Sequence, residues 1–171
     1  YKEKKKDFIS LMPTNLYGQF DNFHLTNGHV IPSLMHRFHL AKIKNLPKVE
    51  VWGSGEPLRE FLHVDDLSDA CLFILQLPKS KYQKNTEKLL SHINIGSGNE
   101  LRISELVSMI KAEVGYEGDV VFNSDYPDGT PRKMIDSSKL MRLGWKPEIN
   151  LKKGLHSTYE WFKENFDSMR K

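Results

Sequence analysis

The sequence contains little cysteine and no long apolar run. One cysteine occurs among 171 residues. No stretch approaches the roughly 20 apolar residues that span a membrane, and no signal peptide with a small-residue cleavage site is visible at the start. Together these absences favour a reducing, soluble compartment, so we expect a cytoplasmic protein without a membrane partner.

The excess of one charge sign is small as well. Lys and Arg number 25 against 22 Asp and Glu, which gives a net charge of +3. This balance is too weak to indicate a nucleic-acid partner, whereas anionic small molecules remain possible ligands. The chain is 39% hydrophobic and 11% aromatic, which is enough for a packed core in one ordinary domain.

Motifs for metals and for nucleotide phosphates are also lacking. The seven histidines are scattered, and no His-Glu-x-x-His or cysteine pair accompanies "HRFH", so we predict no metal site. No Gly-x-x-x-x-Gly-Lys-Ser/Thr occurs. "GSGNE" at 96–100 follows an apolar run but lacks the third glycine of a dinucleotide fingerprint. We interpret it as a tight turn from a strand to a helix.

Four segments have the apolar spacing of helices. "HVIPSLMHRFHLAKIKN" tolerates Pro32 in its first turn, Ser104 is expected to cap "ELVSMIKAEVG", and Gly115 is expected to end it. "VDDLSDACLFILQL" has a predicted buried face, on which Cys71 is a core residue and not a nucleophile. That face comprises Leu67, Ala70, Cys71, Ile74 and Leu75. The last helix is marked by Leu151, Leu155, Tyr159 and Phe162.

Short apolar runs alternate with these helices. The predicted strands are "FISLMP", "VEVWG", "EFLHV", "HINIG" and "DVVFN". Because strands and helices alternate, we expect an α/β fold in which some strands form a parallel sheet.

Several cationic and aromatic residues beside turns are candidates for ligand binding. Arg59 lies where a loop enters a strand, and Arg132 and Lys133 follow the turn "PDGTP". An arginine in such a position can bind a phosphate through two parallel hydrogen bonds, although an isolated one is more often an ordinary surface cation. Trp52 is suited to stack on a base or to fill the core, and core packing is the more frequent use.

Taken in order, eight motifs resemble one branch of the extended short-chain dehydrogenase/reductase family, the GDP-L-fucose synthases. They are "MPTNLYG", "DNFH", "HVIP", "VWGSG", "PLREFLHVDD", "SHINIGSG", "PDGTPRK" and "LGWKPEINLKKGL". The similarity runs from about residue 8 to the end. "RxFxHVDDLxDA" alone indicates only the broader group of nucleotide-sugar enzymes, whereas "DNFH", "HVIP", "REFLHVDD" and "DGTPRK" together narrow it.

The resemblance implies an activity and its partners. The family uses NADP(H) to epimerise C3 and C5 and to reduce C4 of GDP-4-keto-6-deoxy-D-mannose, which yields GDP-L-fucose. It forms homodimers, largely through helices outside the region that resembles this sequence. NADP(H) as cofactor and the GDP-sugars as ligands are therefore expectations from the family.

The resemblance also assigns roles to residues of this sequence. Pro13, Asn15 and Leu16 would line the cofactor, and His29 would lie beside it as the acid of the epimerisation, a role for which the imidazole of histidine is chemically suited. The residues expected to hold the GDP part of the substrate are Arg37, Trp52, Arg59, Asp128 and Lys133. For Asp128, a simple turn explains "PDG" equally well.

Other family features do not occur here: the Gly-x-x-Gly-x-x-Gly loop, the Ser with Tyr-x-x-x-Lys, and the epimerisation cysteine, which Cys71 does not replace. We therefore expect residues 1–171 to be the carboxyl-terminal, substrate-binding portion of such an enzyme. It would comprise the end of a Rossmann-type parallel sheet plus a small α/β substrate domain, inactive and unstable alone. The alternatives are a stand-alone GDP-sugar binding module without redox activity and another nucleotide-sugar epimerase or dehydratase.

Overall fold

Strands and helices alternate in the computed structural model, which describes residues 8–86 and 91–168. The strands are β1 (Ser10–Pro13), β2 (Asn15–Tyr17), β3 (Lys48–Trp52), β4 (Leu58–His63), β5 (His92–Ile95), β6 (Glu100–Arg102), β7 (Asp119–Asn123) and β8 (Arg132–Lys133). The helices are α1 (Val30–Ile43), α2 (Val64–Gln76), α3 (Lys79–Lys84), α4 (Ile103–Val114), α5 (Ser138–Leu143) and α6 (Leu151–Asn165). The predicted α/β class is confirmed, and all five predicted strands are present.

Within the described residues the strands form five pairings in three sheets, and four of the pairings are parallel. β1 pairs with β5, and β3 pairs with β7, both in parallel. β4 is the centre of a four-stranded sheet, with β2 and β8 parallel to it and β6 antiparallel. Because β2 and β8 both pair with β4, these two strands lie near each other.

Two clusters of buried side chains hold these elements together. The larger one packs α1, α4 and α6 around β2, β3 and β4 and includes Tyr17, Phe38, Ile110 and Phe162. The smaller one packs α2 and α5 against β5. None of the helices in the described ranges is long and apolar enough to cross a membrane.

The helix ends follow ordinary capping chemistry with one correction. The side chain of Asn150 accepts a hydrogen bond from the Lys153 amide at the start of α6. Ser104 does not cap α4, because the helix begins one residue earlier. Instead, the Arg102 amide donates to the Glu105 carboxylate, and Gly115 ends the helix in a left-handed conformation, as predicted.

Two further expectations are wrong in detail. The "GSG" turn joins two strands, β5 and β6, because residues 100–102 extend β4's sheet before α4 starts. Leu75, predicted to be buried, is 69% exposed, while Cys71 is partly buried. The apolar residues of α2 extend around more of the helix than the described residues cover.

Candidate active site

A small cleft of about 140 Å³ lies where β2, β4 and the start of α1 meet. Its lining residues are Asn15, Leu16, His29, Val30, Ile31, Arg59 and Phe61. The register of the two strands creates it, because Asn15 lies directly opposite Phe61 and the Asn15 side chain donates to the Glu60 carbonyl at 2.7 Å. Asn15, Leu16, His29 and Arg59, four of the residues singled out in the sequence, thus share one cavity.

The irregular segment from residue 18 to residue 29 folds around its own polar side chains. The imidazole Nδ1 of His24 accepts hydrogen bonds from the amides of Thr26 and Asn27, at 3.2 and 3.1 Å. The buried His36 on α1 donates through Nδ1 to the Phe23 carbonyl at 2.7 Å. These bonds replace the regular ladder of a helix or strand and fix the segment that leads to His29.

His29 presents an accessible imidazole at the rim of this cleft. Its side chain is 83% exposed, and its Nδ1 lies 3.8 Å from a carboxylate oxygen of the largely buried Asp21. The residue precedes α1 in an extended conformation, so its position is set by the start of that helix. An imidazole that faces solvent and a bound molecule at the same time can exchange a proton with either.

Trp52 lies at the end of β3 in an aromatic and cationic cluster. Its ring stacks on Tyr126, with 4.7 Å between centroids and 16° between planes, and the Arg37 guanidinium lies 4.9 Å from its centroid. Of the two uses that the sequence left open for Trp52, core packing is wrong, because the side chain is 43% exposed. Val49 and Val51 take the buried face of β3, which directs Trp52 to the other side.

Arg37 is held in place by the protein itself. Its guanidinium donates to the carbonyls of Glu50 and Leu25, at 2.9 and 3.2 Å. Burial of the half-buried guanidinium lowers the pKa of Arg37 from its ordinary value, although an arginine stays charged in proteins. The Arg37 side chain therefore joins the segment 18–29 to β3 and supports the Trp52 ring.

Asp128 ties the loop from residue 124 to residue 131 to the turn after β3. Its two carboxylate oxygens accept from the Ser54 amide at 2.6 Å and the Ser54 hydroxyl at 2.7 Å. The hydrogen bond from the Ser54 hydroxyl, and after it the bond from the amide, lowers the pKa of Asp128 below its usual range. Gly53 permits the approach, because it has φ +87° and a Cβ there would lie 2.5 Å from the carboxylate. The turn "GSG" at 53–55 and the turn "PDG" at 127–129 therefore contact each other.

The basic residues of β4 and β8 divide between the two faces of the sheet. Arg59 lies opposite Lys133, and Leu58 lies opposite Arg132. Because side chains alternate along a strand, Arg59 and Lys133 share the face that carries the cleft, while Arg132 is on the other face. There Arg132 forms a bidentate pair with Glu100, with both N–O distances 2.8 Å. Two cations next to each other suit a diphosphate.

The remaining candidate residues lie around these features. Pro13 ends β1 opposite Ile95, is exposed, and does not line the cleft. Arg59 connects the cleft to the Asp128 loop, since a Cβ on Gly129 would lie 3.8 Å from its guanidinium. Tyr126 and Ser54 were not identified from the sequence, where both look like ordinary turn residues.

One group of potential metal ligands occurs elsewhere in the described ranges. Glu113, His156 and Glu160 have ligand atoms within 4.8 Å of one another, on α4 and α6, which contribute nothing to the cleft. His156 already pairs with Glu113 at 2.8 Å, and Glu160 pairs with Lys163 at 2.8 Å. The absence of a metal from the active site stays a prediction.

The α/β fold places a cleft beside a parallel strand pair, with cations and aromatic rings nearby, and open α/β sheets commonly bind ligands at such a place. The chain belongs to the NAD dependent epimerase/dehydratase family, whose model matches residues 1–96. It is similar to the GDP-L-fucose synthase of Escherichia coli K12, with 53% identity over 165 residues. That match covers 96% of this chain and 51% of the relative.

Two solved structures have the same fold over nearly the whole chain. A GDP-L-fucose synthetase from Naegleria fowleri bound to NADP has a TM-score of 0.85 at 29% identity, over 99% of this chain and 51% of that one. A GDP-6-OMe-4-keto-L-xylo-heptose reductase from Campylobacter jejuni has a TM-score of 0.86 at 34% identity, over 96% and 56%. The chain thus spans about half the length of its relatives. The predicted resemblance and the fold class, part of an extended short-chain dehydrogenase, are confirmed.

Proposed function

We propose that this chain is part of an NADPH-dependent enzyme that converts GDP-4-keto-6-deoxy-D-mannose to GDP-L-fucose, by epimerisation at C3 and C5 and reduction at C4. The observation that carries the proposal is the 53% identity to the Escherichia coli GDP-L-fucose synthase across 96% of this chain. The cleft supports it, because it gathers Asn15, Leu16, His29 and Arg59.

Within that enzyme, these residues form the carboxyl-terminal, substrate-binding portion, which includes the last strands of the nucleotide-binding sheet. Three observations support this placement. Among the strands of residues 8–86 and 91–168, β1 pairs with β5 alone, so its other edge is open. Met12 on β1 and Leu72 and Leu75 on α2 expose 54%, 58% and 69% of their surfaces. The relatives are about twice as long, and an open strand edge with exposed apolar side chains is rarely left uncovered.

NADPH, when bound, supplies the hydride that reduces the C4 carbonyl. Asn15 and Leu16 fit a position beside the nicotinamide, since both line the cleft immediately after the parallel strand β1, and the relative from Naegleria fowleri is bound to NADP. Pro13 precedes them at the strand end. His29 lines the same cleft as Leu16.

His29 acts as the acid of the epimerisation. The 4-keto group makes the hydrogens on C3 and C5 acidic, so a base outside this chain removes one and leaves an enolate. His29 donates its proton to the opposite face of that carbon, and solvent returns a proton to the exposed imidazole. Asp21, 3.8 Å from Nδ1, orients the ring. Each cycle inverts one carbon without net loss of a proton.

The GDP part binds along the neighbouring surface. Arg59 and Lys133, on one face of the sheet, bind the diphosphate, and Trp52, supported by Arg37, contacts the base. Asp128 contributes mainly through Ser54, since both of its oxygens are engaged there. A hydroxyl of the sugar has only the remaining lone pairs of that carboxylate available.

The His29 role is tested by separating inversion from binding. In the purified full-length protein, H29Q should abolish inversion at C3 and C5 of the keto sugar, followed by NMR of the epimers, because the acid that protonates the opposite face is gone. GDP affinity, measured by calorimetry, should stay within about twofold, since His29 is not assigned to the diphosphate site. The matched control is His92→Gln, at the exposed start of β5. Inversion at the wild-type rate in H29Q would exclude His29 as the acid.

A stand-alone GDP-sugar binding module is the second candidate, favoured by one observation. All five residues assigned to GDP, Arg37, Trp52, Arg59, Asp128 and Lys133, lie in these 171 residues. An intact mass of the purified natural protein distinguishes the two. A mass well above 19.9 kDa supports the enzyme, whereas 19.9 kDa together with GDP binding and no NADPH oxidation supports the module.

A different GDP-keto-sugar as substrate is a third candidate, because the heptose reductase from Campylobacter jejuni is 34% identical. A panel of GDP-4-keto sugars, assayed for NADPH oxidation, separates these substrates by kcat/KM. A cytoplasmic location and a homodimer belong to the same proposal. Fractionation of the source cells and centrifugation of the full-length protein test them.

A further inference from the structure

Tyr126 and Trp52 form a stacked aromatic pair that is exposed to solvent. The Tyr126 side chain is 42% exposed and that of Trp52 is 43% exposed, although the rings stack on each other. Stacking removes one face of each ring from water and leaves the rest accessible. An apolar, planar ligand would cover the surface that remains.

The loop that carries Tyr126 is held at this position by its own contacts. The Asp125 amide donates to the Asn123 side chain at 2.9 Å, and Asp128 binds Ser54 through two hydrogen bonds. Because Ser54 follows Trp52 by two residues, the same contact fixes both rings relative to each other. The aromatic pair is therefore a built feature of the fold and not a chance contact of two mobile side chains.

Two cations lie near the aromatic pair and its loop. Arg37 lies 4.9 Å from the Trp52 centroid, and Arg59 lies close to Gly129 at the other end of the loop. Planar rings followed by cations match the order of groups in a nucleoside diphosphate, in which a flat base precedes two phosphates. A peptide or a sugar alone presents no such order.

We propose that Tyr126 contacts the nucleotide base of the substrate and is an affinity-determining residue of the GDP site. The proposal rests on the function proposed above and refines its base contact: Tyr126 lies between the base and Trp52, and Trp52 supports the Tyr126 ring. The 4.7 Å between the Trp52 and Tyr126 centroids leaves no room for a base between them. The base therefore lies against the outer, exposed surface of Tyr126, and the phosphates extend toward Arg59.

The test compares ligands and variants in the full-length protein. Stacking of a base on an aromatic side chain is lost on substitution by alanine at a cost of about 5- to 150-fold in affinity. Y126A should weaken GDP binding about tenfold, by calorimetry, and raise KM for the GDP-sugar similarly without changing kcat. KM for NADPH should be unchanged. Y126F, which keeps the ring, should behave as the wild type.

The outcomes separate this inference from the function on which it rests. Wild-type protein that binds no GDP overturns both. Wild-type protein that binds GDP, with Y126A of equal or higher affinity, overturns the Tyr126 contact alone. Tyr126→Leu keeps an apolar side chain in the loop, so a loss in Y126L that matches the loss in Y126A identifies the aromatic ring as the cause.

Discussion

Glu60 is the buried charge on which three segments of the site converge. It is fully buried in β4, and one carboxylate oxygen accepts from the Gly98 amide at 2.8 Å while the other accepts from the Ile135 amide at 3.2 Å. Its carbonyl accepts from Asn15 at 2.7 Å. The side chain thus joins β4 to the turn after β5 and to the segment after β8, two residues beyond Lys133.

The cost of removing this carboxylate follows from its partners. A hydrogen bond to a charged group contributes about 1.5 to 3 kcal/mol, so E60A, which leaves two amides without an acceptor, should lower the free energy of unfolding by about 3 to 6 kcal/mol. E60Q keeps one acceptor oxygen and turns an NH2 group toward the other amide. We expect about half that loss, which is a large share of a typical stability of about 5 to 15 kcal/mol.

Urea denaturation of the full-length protein, followed by circular dichroism, measures this loss. The matched control is Glu56→Gln, because Glu56 forms only an exposed ion pair with Arg102 at 3.2 Å and should cost less than about 1 kcal/mol. The midpoint for E60Q should fall with an unchanged dependence on urea. If the free energy of unfolding of E60Q lies within about 0.5 kcal/mol of the wild-type value, the stabilising role of the Glu60 carboxylate is refuted.

Three further substitutions test the close contacts. G53A should lower stability by about 1 to 3 kcal/mol and weaken GDP binding, because φ is +87° and the new Cβ meets Asp128; thermal melting and calorimetry check this. G154A should cost about 1 to 3 kcal/mol in a urea titration, because a Cβ on α6 would overlap the Tyr17 hydroxyl, although alanine usually favours helices. Burial lowers the pKa of His63, so the unfolded chain binds more protons and stability should fall as the pH drops below about 6.5. H63N, which keeps a capping side chain, should flatten that dependence in melts across pH.

Much of the fold follows from apolar spacing alone. Val49 and Val51 alternate with polar residues in β3, and the stripe of α6 contains the buried Leu155, Tyr159 and Phe162. These patterns are local, so they are legible in one sequence. The same alternation could have corrected Trp52, since it stands out of phase with the two valines.

Errors arose where no described residue packs on an apolar side chain and where two local bonds compete. Leu75 fits the apolar period of α2, but no described residue covers it, and period alone does not reveal what packs on a helix. Ser104 is a common capping residue, yet the Glu105 carboxylate bonds the Arg102 amide and starts α4 earlier. Local preference was overridden by a competing local bond.

The candidate site was predictable in part, and only through the family resemblance. Asn15, Leu16, His29 and Arg59 come together in one cleft because β2 and β4 are adjacent, which spacing does not disclose. Tyr126 carries no signal in the sequence, since its role depends on a stack with a residue 74 positions earlier, a separation that equals the one between Ser54 and Asp128.

The short strand β8 places a constraint on insertions and deletions. Lys133 faces the cleft and Arg132 faces Glu100 only because β8 is in phase with β4. A change of one residue in the preceding loop that shifts β8 along β4 would exchange the two cations between faces. The proposed diphosphate site would then receive Arg132, which now pairs with Glu100, and Glu100 would receive a lysine, which lacks the planar fork for a bidentate pair. In homologues that keep this site, the loop before β8 should therefore have a length that keeps Lys133 opposite Arg59, whatever the composition of the loop.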